Sequence, residues 1–216
     1  MHIKAIGFDW DGTLVDSMIV KSQAFASAVI EFHPDLKNKD NEIKQIYLAT
    51  RGNPRFDQLS WIEEYYDKEH LDQQEQQDWS DTFTGNYIDL NLPLFENTIS
   101  TLGYLKDQGY RLFLASSVPQ GDLDDTLENY EQLQPLDNYF THILGTREVG
   151  EDSNLPTDGK LFKKGVPHLT FISQELEVQT EEIAFVGDGP DDVKGANEAG
   201  AYSVGKADPR ISFESL

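Results

Sequence analysis

The chain has 216 residues, with 17 basic and 39 acidic side chains and a formal net charge of −22. Hydrophobic residues make up 38% and aromatic residues 11%, enough for one core domain that carries a modest insertion. The shortage of cations argues against a nucleic-acid partner and against binding to an anionic membrane surface. Because the chain contains no cysteine, disulfides, thiolate metal sites and a cysteine nucleophile are excluded.

The N-terminal sequence MHIKAIGFDWDGT has no basic start followed by a long apolar stretch, so we do not expect a signal peptide. No run of apolar residues is long enough to predict a membrane span. These features favour a cytoplasmic protein. The oligomeric state is left open between a monomer and a homodimer.

Short apolar runs alternate with amphipathic segments along most of the chain. This alternation predicts a parallel sheet with helices on both faces, that is, a doubly wound α/β fold. The predicted strands are 3–8, 110–115, 142–144, 183–187 and 201–204, and the helices between them are 95–108, 123–133, 161–174 and 191–199.

The stretch 16–90 carries helical patterns at 17–32, 41–49, 56–66 and 78–89 but no convincing strand. At roughly 70 residues it is far longer than an ordinary crossover between two strands. We therefore predict a small helical domain at 16–90, inserted into an α/β core formed by 1–15 and 91–216. The alternative is that these helices pack directly on the sheet.

The first predicted strand ends in two carboxylates, Asp9 and Asp11, within the sequence FDWDGT. Open parallel sheets bind ligands at the carboxyl ends of their strands. Two carboxylates this close repel each other unless a cation or a shared proton compensates them, and hard oxygen ligands suit Mg²⁺ together with a substrate phosphate. The pattern predicts such a site, although an acidic turn that caps a helix would look similar.

A second acidic cluster, GDGPDD at 187–192, follows the predicted strand 183–187. If this strand neighbours the first one, Asp188 and Asp192 lie beside Asp9. Pro190 favours the first turn of a helix, and acidic residues favour its N-terminus, so one of the carboxylates could serve the helix instead. We predict Asp188 as a metal ligand and Asp192 as a supporting residue.

Two further elements could stabilise a phosphoryl group. Ser116 follows the predicted strand 110–115, where its hydroxyl and nearby backbone N–H groups could bind phosphoryl oxygens, although serine at a helix start is usually a cap. A cation is needed as well, because several carboxylates and a phosphate leave excess negative charge. Lys160, Lys163 and Lys164 all precede the strand that leads to Asp188.

Together these motifs resemble those of the haloacid dehalogenase superfamily, in its phosphatase branch with an inserted helical cap, and are similar to those of phosphoglycolate phosphatases. Asp9-Trp-Asp11-Gly-Thr resembles the motif DxDGT, Ser116 the second motif, Lys164-Gly-Val-Pro167 the motif K-x-x-P, and Gly187-Asp188 with Asp192 the motif GDxxxD. The resemblance spans residues 3 to 204 in the family's order. It implies a Rossmann-like core and a helical cap.

The resemblance also implies a role for each matching residue. Asp9 would attack phosphorus and form an aspartyl-phosphate, while Asp11 would protonate the leaving oxygen and later deprotonate water. Mg²⁺ would be bound by the Asp9 and Asp188 carboxylates and the backbone carbonyl of Asp11. Ser116 and Lys164 would stabilise the developing charge.

The expected activity is Mg²⁺-dependent hydrolysis of a small phosphorylated metabolite. Asp11 favours phosphate esters, because superfamily members that cleave carbon–halogen bonds typically lack this residue. A sugar phosphomutase of the beta-phosphoglucomutase type is an alternative, but those enzymes usually carry Glu-Asp in place of Gly187-Asp188 and His near Lys21. Lys21 is expected to be a solvated helix residue. A non-catalytic phosphate- or metal-binding protein on the same fold is the third alternative.

The third motif departs from the more frequent pattern K-P-x-P, since Gly165 replaces the first proline, and Lys160 stays open as the alternative to Lys164. The resemblance implies that the cap selects the substrate. Arg51 and Arg55 are candidates for binding an anionic substrate there. Surface pairing with carboxylates would explain both arginines equally well.

Overall fold

The computed structural model describes residues 2–50, 53–88, 92–129, 133–150 and 154–207. The described chain folds into two compact units, one formed by 2–16 and 93–207 and the other by 17–92. The second unit is therefore an insertion into the first, whereas the sequence pattern placed the two boundaries after residues 15 and 90. Its function as a cap stays a prediction.

The first unit contains six strands and four α-helices among its described residues. The strands are β1 (Ala5–Phe8), β2 (Arg111–Pro119), β3 (Phe140–Glu148), β4 (Leu161–Phe162), β5 (Ile183–Gly187) and β6 (Tyr202–Gly205). The insertion holds α1 (Met18–Phe32), α2 (Asp40–Ala49), α3 (Arg55–Tyr65) and α4 (Gln73–Ile88), and the first unit holds α5 (Thr98–Asp107), α6 (Gln120–Asn129), α7 (Val166–Glu175) and α8 (Pro190–Ala199). Short 3₁₀ helices span Pro34–Leu36, Gln134–Asn138 and Thr180–Glu182.

The strands form one sheet in the order β4-β3-β2-β1-β5-β6. All neighbouring pairs except β3 with β4 are parallel, so the predicted α/β class is confirmed. On one face, Phe113 and Phe185 pack with Leu169 of α7. The alternate side chains of β2, Leu112 and Leu114, are buried as well. Side chains on both faces of β2 are therefore shielded from water, as the strands of a parallel sheet require.

One predicted helix is wrong in its first turn. Residues 161 and 162 form β4, which pairs antiparallel with Arg147 and Glu148 of β3, and the helix begins only at Val166. Phe162 is buried whereas Leu161 is exposed, the alternation of a strand. Gly165, with φ of +103°, then turns the chain into α7. A two-residue strand is too short to leave a periodic signal in the sequence.

The insertion has a core of its own, built around Phe25 of α1. The ring of Phe25 lies 4.8 Å from Tyr47, 5.4 Å from Trp79 and 5.6 Å from Phe83, measured between ring centroids. Helix α4 begins five residues before the predicted segment, because Asp72 accepts hydrogen bonds from the backbone N–H groups of residues 74 and 75 and caps the helix. No helix among the described residues is long and apolar enough to cross a membrane.

Gly7, in the middle of β1, allows two aromatic rings to approach the strand closely. A Cβ at this position would overlap the rings of Phe113 and Phe185, whose centroids are 6.3 Å apart. We expect Gly7→Ala to lower the free energy of unfolding by about 1–3 kcal/mol, because the rings must move out of a close-packed core. Urea unfolding followed by circular dichroism measures this change.

Gly103→Ala is the matched control in the same unit. Gly103 lies in α5, where a Cβ would be 3.8 Å from the Tyr139 ring, an ordinary van der Waals contact. The free energy of unfolding of this variant is expected to rise by about 0.5–1 kcal/mol, since alanine has a higher helix propensity than glycine. Equal stability of Gly7→Ala and wild type would contradict the packing described for β1.

Candidate active site

The site begins where β1 and β5 end side by side. These strands are parallel neighbours in register, with Phe8 opposite Val186. The backbone N–H of Asp9 donates to the carbonyl oxygen of Val186 at 2.8 Å, so the pairing extends to the first acidic residue. Asp188 follows β5 directly. The adjacency expected from the sequence thus places both acidic motifs at one edge of the sheet.

Three carboxylates meet at this edge. Asp9, Asp188 and Asp192 each place one carboxylate oxygen within 4.8 Å of the other two. Asp9 and Asp192 are buried, at 5% and 4% exposure, and Asp188 is half-buried. The Asp11 carboxylate is not part of this group of oxygens. Its predicted share in metal binding is through the backbone carbonyl, which stays a prediction.

Asp192 uses both of its carboxylate oxygens within the protein. Oδ2 accepts a hydrogen bond from the backbone N–H of Gly189 at 2.9 Å, at the start of α8. Oδ1 lies 2.7 Å from the ammonium nitrogen of Lys164. The carboxylate therefore caps the helix and orients the lysine at once, which favours the supporting role over that of a principal metal ligand.

Of the three candidate lysines, Lys164 pairs with the carboxylates of the site. Its Nζ lies 3.1 Å from Asp9 Oδ1 as well as 2.7 Å from Asp192 Oδ1, and its side chain is 14% exposed. The other two candidate lysines are elsewhere: Lys163 pairs with Asp158 at 2.7 Å, and Lys160 is exposed. The geometry therefore supports Lys164 over Lys160 as the active-site lysine.

The charged side chains of the site shift the pKa values of Asp9 and Lys164. Burial raises the pKa of Asp9 from 3.8 to about 8; Lys164 opposes this shift, whereas Asp192, Asp11 and Asp188 add to it. Burial alone would lower the pKa of Lys164, but the Asp9 and Asp192 carboxylates overcome it and raise the pKa above its usual value. One lysine does not neutralise three carboxylates, so the cluster favours an additional positive charge.

Gly12 lets the first acidic loop approach the second. It adopts φ of +73°, and a Cβ at this position would overlap the Asp188 carboxylate. Its N–H donates to the carbonyl oxygen of Val15 at 2.9 Å, which closes the loop. The glycine of the motif DxDGT is thus required by a backbone conformation and by a close contact with Asp188.

Ser116 lies inside β2, since the strand continues to Pro119. The serine is 1% exposed, and its hydroxyl oxygen accepts a hydrogen bond from the backbone N–H of Val118 at 3.1 Å. This contact holds the hydroxyl in a local turn of the strand. Its predicted role toward a phosphoryl oxygen stays a prediction.

Lys206, which follows β6, was not predicted from the sequence. Its ammonium donates to the carbonyl oxygen of Gly12 at 2.8 Å and lies 3.3 Å from the centroid of the Phe95 ring. Its backbone N–H donates to the carbonyl oxygen of Gly187 at 2.7 Å. No motif identifies this lysine, because its contact with the first loop joins residues nearly two hundred positions apart in the chain.

Three of the residues considered in the sequence, Arg51, Arg55 and Lys21, belong to the insertion. Arg55 donates to the hydroxyls of Ser80 and Thr84 at 3.1 and 2.9 Å, within the insertion's own fold, and its role toward a substrate stays a prediction. Arg51 lies outside the described residues. The expectation that Lys21 is solvated is wrong: it is 8% exposed, with Nζ 5.0 Å from the centroid of the Tyr87 ring.

Comparison with known proteins gives relatives that match most of this chain and most of their own length. The family model of the haloacid dehalogenase-like hydrolases matches residues 3–200. A phosphoglycolate phosphatase from Mannheimia succiniciproducens is 28% identical over 209 residues, covering 94% of this chain and 85% of the relative. A phosphoglycolate phosphatase from Pasteurella multocida is 26% identical, and a pyrophosphatase, PpaX, from Bacillus cereus is 24% identical.

Solved structures agree in fold. A crystal structure described as a predicted phosphoglycolate phosphatase from Haemophilus somnus 129pt superposes with a TM-score of 0.71 at 24% identity, covering 95% of this chain and 85% of that one. A haloacid dehalogenase-like hydrolase from Bacteroides fragilis gives a TM-score of 0.67 at 23% identity, covering 97% and 91%. The comparisons confirm the predicted fold and the prediction of a phosphatase-type enzyme. Because the family model matches residues 3–200, the chain belongs to the haloacid dehalogenase-like hydrolases.

Proposed function

We propose that the protein is a Mg²⁺-dependent phosphomonoester hydrolase that acts on a small phosphorylated metabolite through an aspartyl-phosphate. The observation that carries this proposal is the position of Asp9. Its buried carboxylate lies 3.1 Å from the Lys164 ammonium and within 4.8 Å of oxygens of Asp188 and Asp192. A nucleophilic carboxylate needs a nearby cation to receive a phosphoryl group with its negative charges.

The reaction divides into two displacements at phosphorus. In the first, an Asp9 carboxylate oxygen bonds to phosphorus, the bond to the ester oxygen breaks, and Asp11 gives a proton to the departing alcohol. In the second, Asp11 takes a proton from water, the water oxygen bonds to phosphorus, and the bond to Asp9 breaks. Lys164 and the Ser116 hydroxyl stabilise the charge on the phosphoryl oxygens in both steps.

The donor set fits a magnesium ion. Asp9 and Asp188 supply hard carboxylate oxygens, and burial, together with the neighbouring carboxylates, raises the pKa of Asp9 to about 8. Asp9, Asp188 and the backbone carbonyl of Asp11 would hold the ion. When bound, Mg²⁺ would supply charge neutralisation for the phosphoryl group and favour the ionised, nucleophilic form of the carboxylate.

The names of the relatives suggest the first substrates to examine. Several relatives are phosphoglycolate phosphatases, so 2-phosphoglycolate is the leading candidate. Pyrophosphate is the second candidate, because a relative that matches 94% of this chain is a pyrophosphatase. The remaining alternatives are a sugar phosphomutase, which would need a bisphosphate and conserve phosphate, and a non-catalytic binding protein. The close pairing of Asp9 with Lys164 supports catalysis over binding alone.

The first prediction concerns the nucleophile. We expect Mg²⁺-dependent phosphate release from p-nitrophenyl phosphate by the wild type, and a loss of at least about a thousandfold in kcat for Asp9→Asn, because an amide cannot form the acyl phosphate. A colorimetric assay with and without Mg²⁺ measures both. Asp107→Asn, an exposed carboxylate at the end of α5, is the control and should retain activity. An active Asp9→Asn variant would contradict the assignment.

The second prediction concerns the proton-transfer residue and the covalent intermediate. Asp11→Asn should reduce kcat by about 10²–10⁴-fold, because proton transfer to and from oxygen is lost while the nucleophile is retained. When reactions with an ester labelled in its phosphate group are quenched with acid, labelled phosphate should remain bound to the protein. Hydroxylamine should release this phosphate, as expected for an acyl phosphate. Absence of this label at every reaction time, in a protein that hydrolyses the ester, would contradict the covalent mechanism.

The third prediction concerns pH and stability without metal. The unfolded chain loses the Asp9 proton near pH 3.8, whereas the folded chain keeps it up to about pH 8. Between these values unfolding releases a proton, so the free energy of unfolding falls as pH rises, by at most about 1.4 kcal/mol per pH unit from this group.

Urea unfolding of wild type and Asp9→Asn between about pH 5 and pH 7 measures this contribution together with that of the groups that interact with Asp9, since the remaining carboxylates cancel in the difference. The stability of the wild type relative to the variant should fall with increasing pH. A difference that does not change with pH would show that Asp9 is already ionised in the folded protein.

A further inference from the structure

We propose that Lys206 is a positioning residue that fixes the first acidic loop against the second. Its ammonium donates to the Gly12 carbonyl oxygen at 2.8 Å, and its backbone N–H donates to the Gly187 carbonyl oxygen at 2.7 Å. Gly12 directly follows Asp11, and Gly187 directly precedes Asp188. One residue thus connects both segments that carry the site's acidic side chains. This inference rests on the proposed function.

The surroundings of the ammonium limit its freedom. Nζ lies 3.3 Å from the centroid of the Phe95 ring, an attraction between a cation and an aromatic face that holds the long side chain in one direction. Lys206 is half-buried. A flexible surface lysine would lose more conformational entropy on making the bond to Gly12 than one already packed against a ring.

Gly12 transmits this contact to the site. Its φ of +73° and its close approach to Asp188 mean that the position of the Gly12 peptide and that of the Asp188 carboxylate depend on each other. Moving the Gly12 carbonyl would move Asp11 on one side and release the contact with Asp188 on the other. Lys206 therefore fixes the distance between Asp11, the proposed proton-transfer residue, and Asp188, the proposed metal ligand. It does so without contacting the reacting atoms.

Positioning and simple electrostatics predict opposite effects on metal binding. If Lys206 acted only as a positive charge near three carboxylates, its removal would tighten Mg²⁺ binding. If it positions the ligands, its removal weakens Mg²⁺ binding and lowers kcat, typically by about 10–100-fold for a residue that orients ligands from outside the ligand set. The sign of the change in Mg²⁺ affinity therefore decides between the two.

The test uses Lys206→Met, which keeps the length of the side chain but removes the donor and the charge. Tm is measured across a Mg²⁺ titration, and kcat and KM are measured with p-nitrophenyl phosphate. We expect the variant to need a higher Mg²⁺ concentration than the wild type to reach half of the maximal rise in Tm. Its kcat should be roughly 10–100-fold lower, and its KM should change far less. Lys206→Arg, which keeps a charged donor, should recover most of both effects.

Lys194→Met is the matched control, since this exposed lysine of α8 changes the net charge equally. If Lys206→Met fails to fold, Lys206→Gln removes the charge in its place. Unchanged or tighter Mg²⁺ binding with unchanged kcat would overturn the inference. A wild type that binds Mg²⁺ but hydrolyses no phosphate would refute the proposed function, while the shift in the Mg²⁺ titration would still test Lys206.

Discussion

The excess of negative charge around Asp9 is the constraint on which the rest of the site depends. Three carboxylates converge at the end of β1 and β5, with the Lys164 ammonium placed between Asp9 and Asp192. Such an arrangement costs folding free energy, because like charges in a partly desolvated region repel. Two of the three groups are held by contacts outside the cluster: Asp192 by the start of α8, and Asp9 by the pairing of its backbone with β5.

The same repulsion among the carboxylates bears on the proposed reactivity of Asp9. Burial raises the pKa of Asp9 to about 8, and a protonated carboxyl group is a poor nucleophile. A bound cation would favour the ionised carboxylate. In the proposed mechanism, Asp9 would be most reactive once a bound cation favours its ionised form. Lys164 contributes permanently, since its own pKa is raised, but one lysine cannot balance the cluster. The proposed requirement for Mg²⁺ follows from this imbalance.

Much of this arrangement could be predicted from the sequence, because it depends on local patterns. Apolar runs ending in acidic residues identified β1 and β5, and the side-by-side register of these strands then placed Asp188 near Asp9. The resemblance to the K-x-x-P motif favoured Lys164 and left Lys160 open, since both precede the same strand, and the 3.1 Å between the Lys164 ammonium and Asp9 supports Lys164. The burial of Lys21 was also missed, because a helix containing charged residues looks solvated until its neighbours, such as Tyr87, are known.

Lys206 shows the limit of motif-based reasoning most clearly. Its side chain acts on Gly12, which no local pattern connects to it, and the connection exists only because β6 pairs with β5 and β5 pairs with β1. In a parallel sheet, every strand ends at the same edge as its neighbours, so residues after an outer strand can support a loop after a central one. The acidic motifs predict the reacting groups, whereas a residue proposed to position them, such as Lys206, can follow any strand whose end reaches that edge.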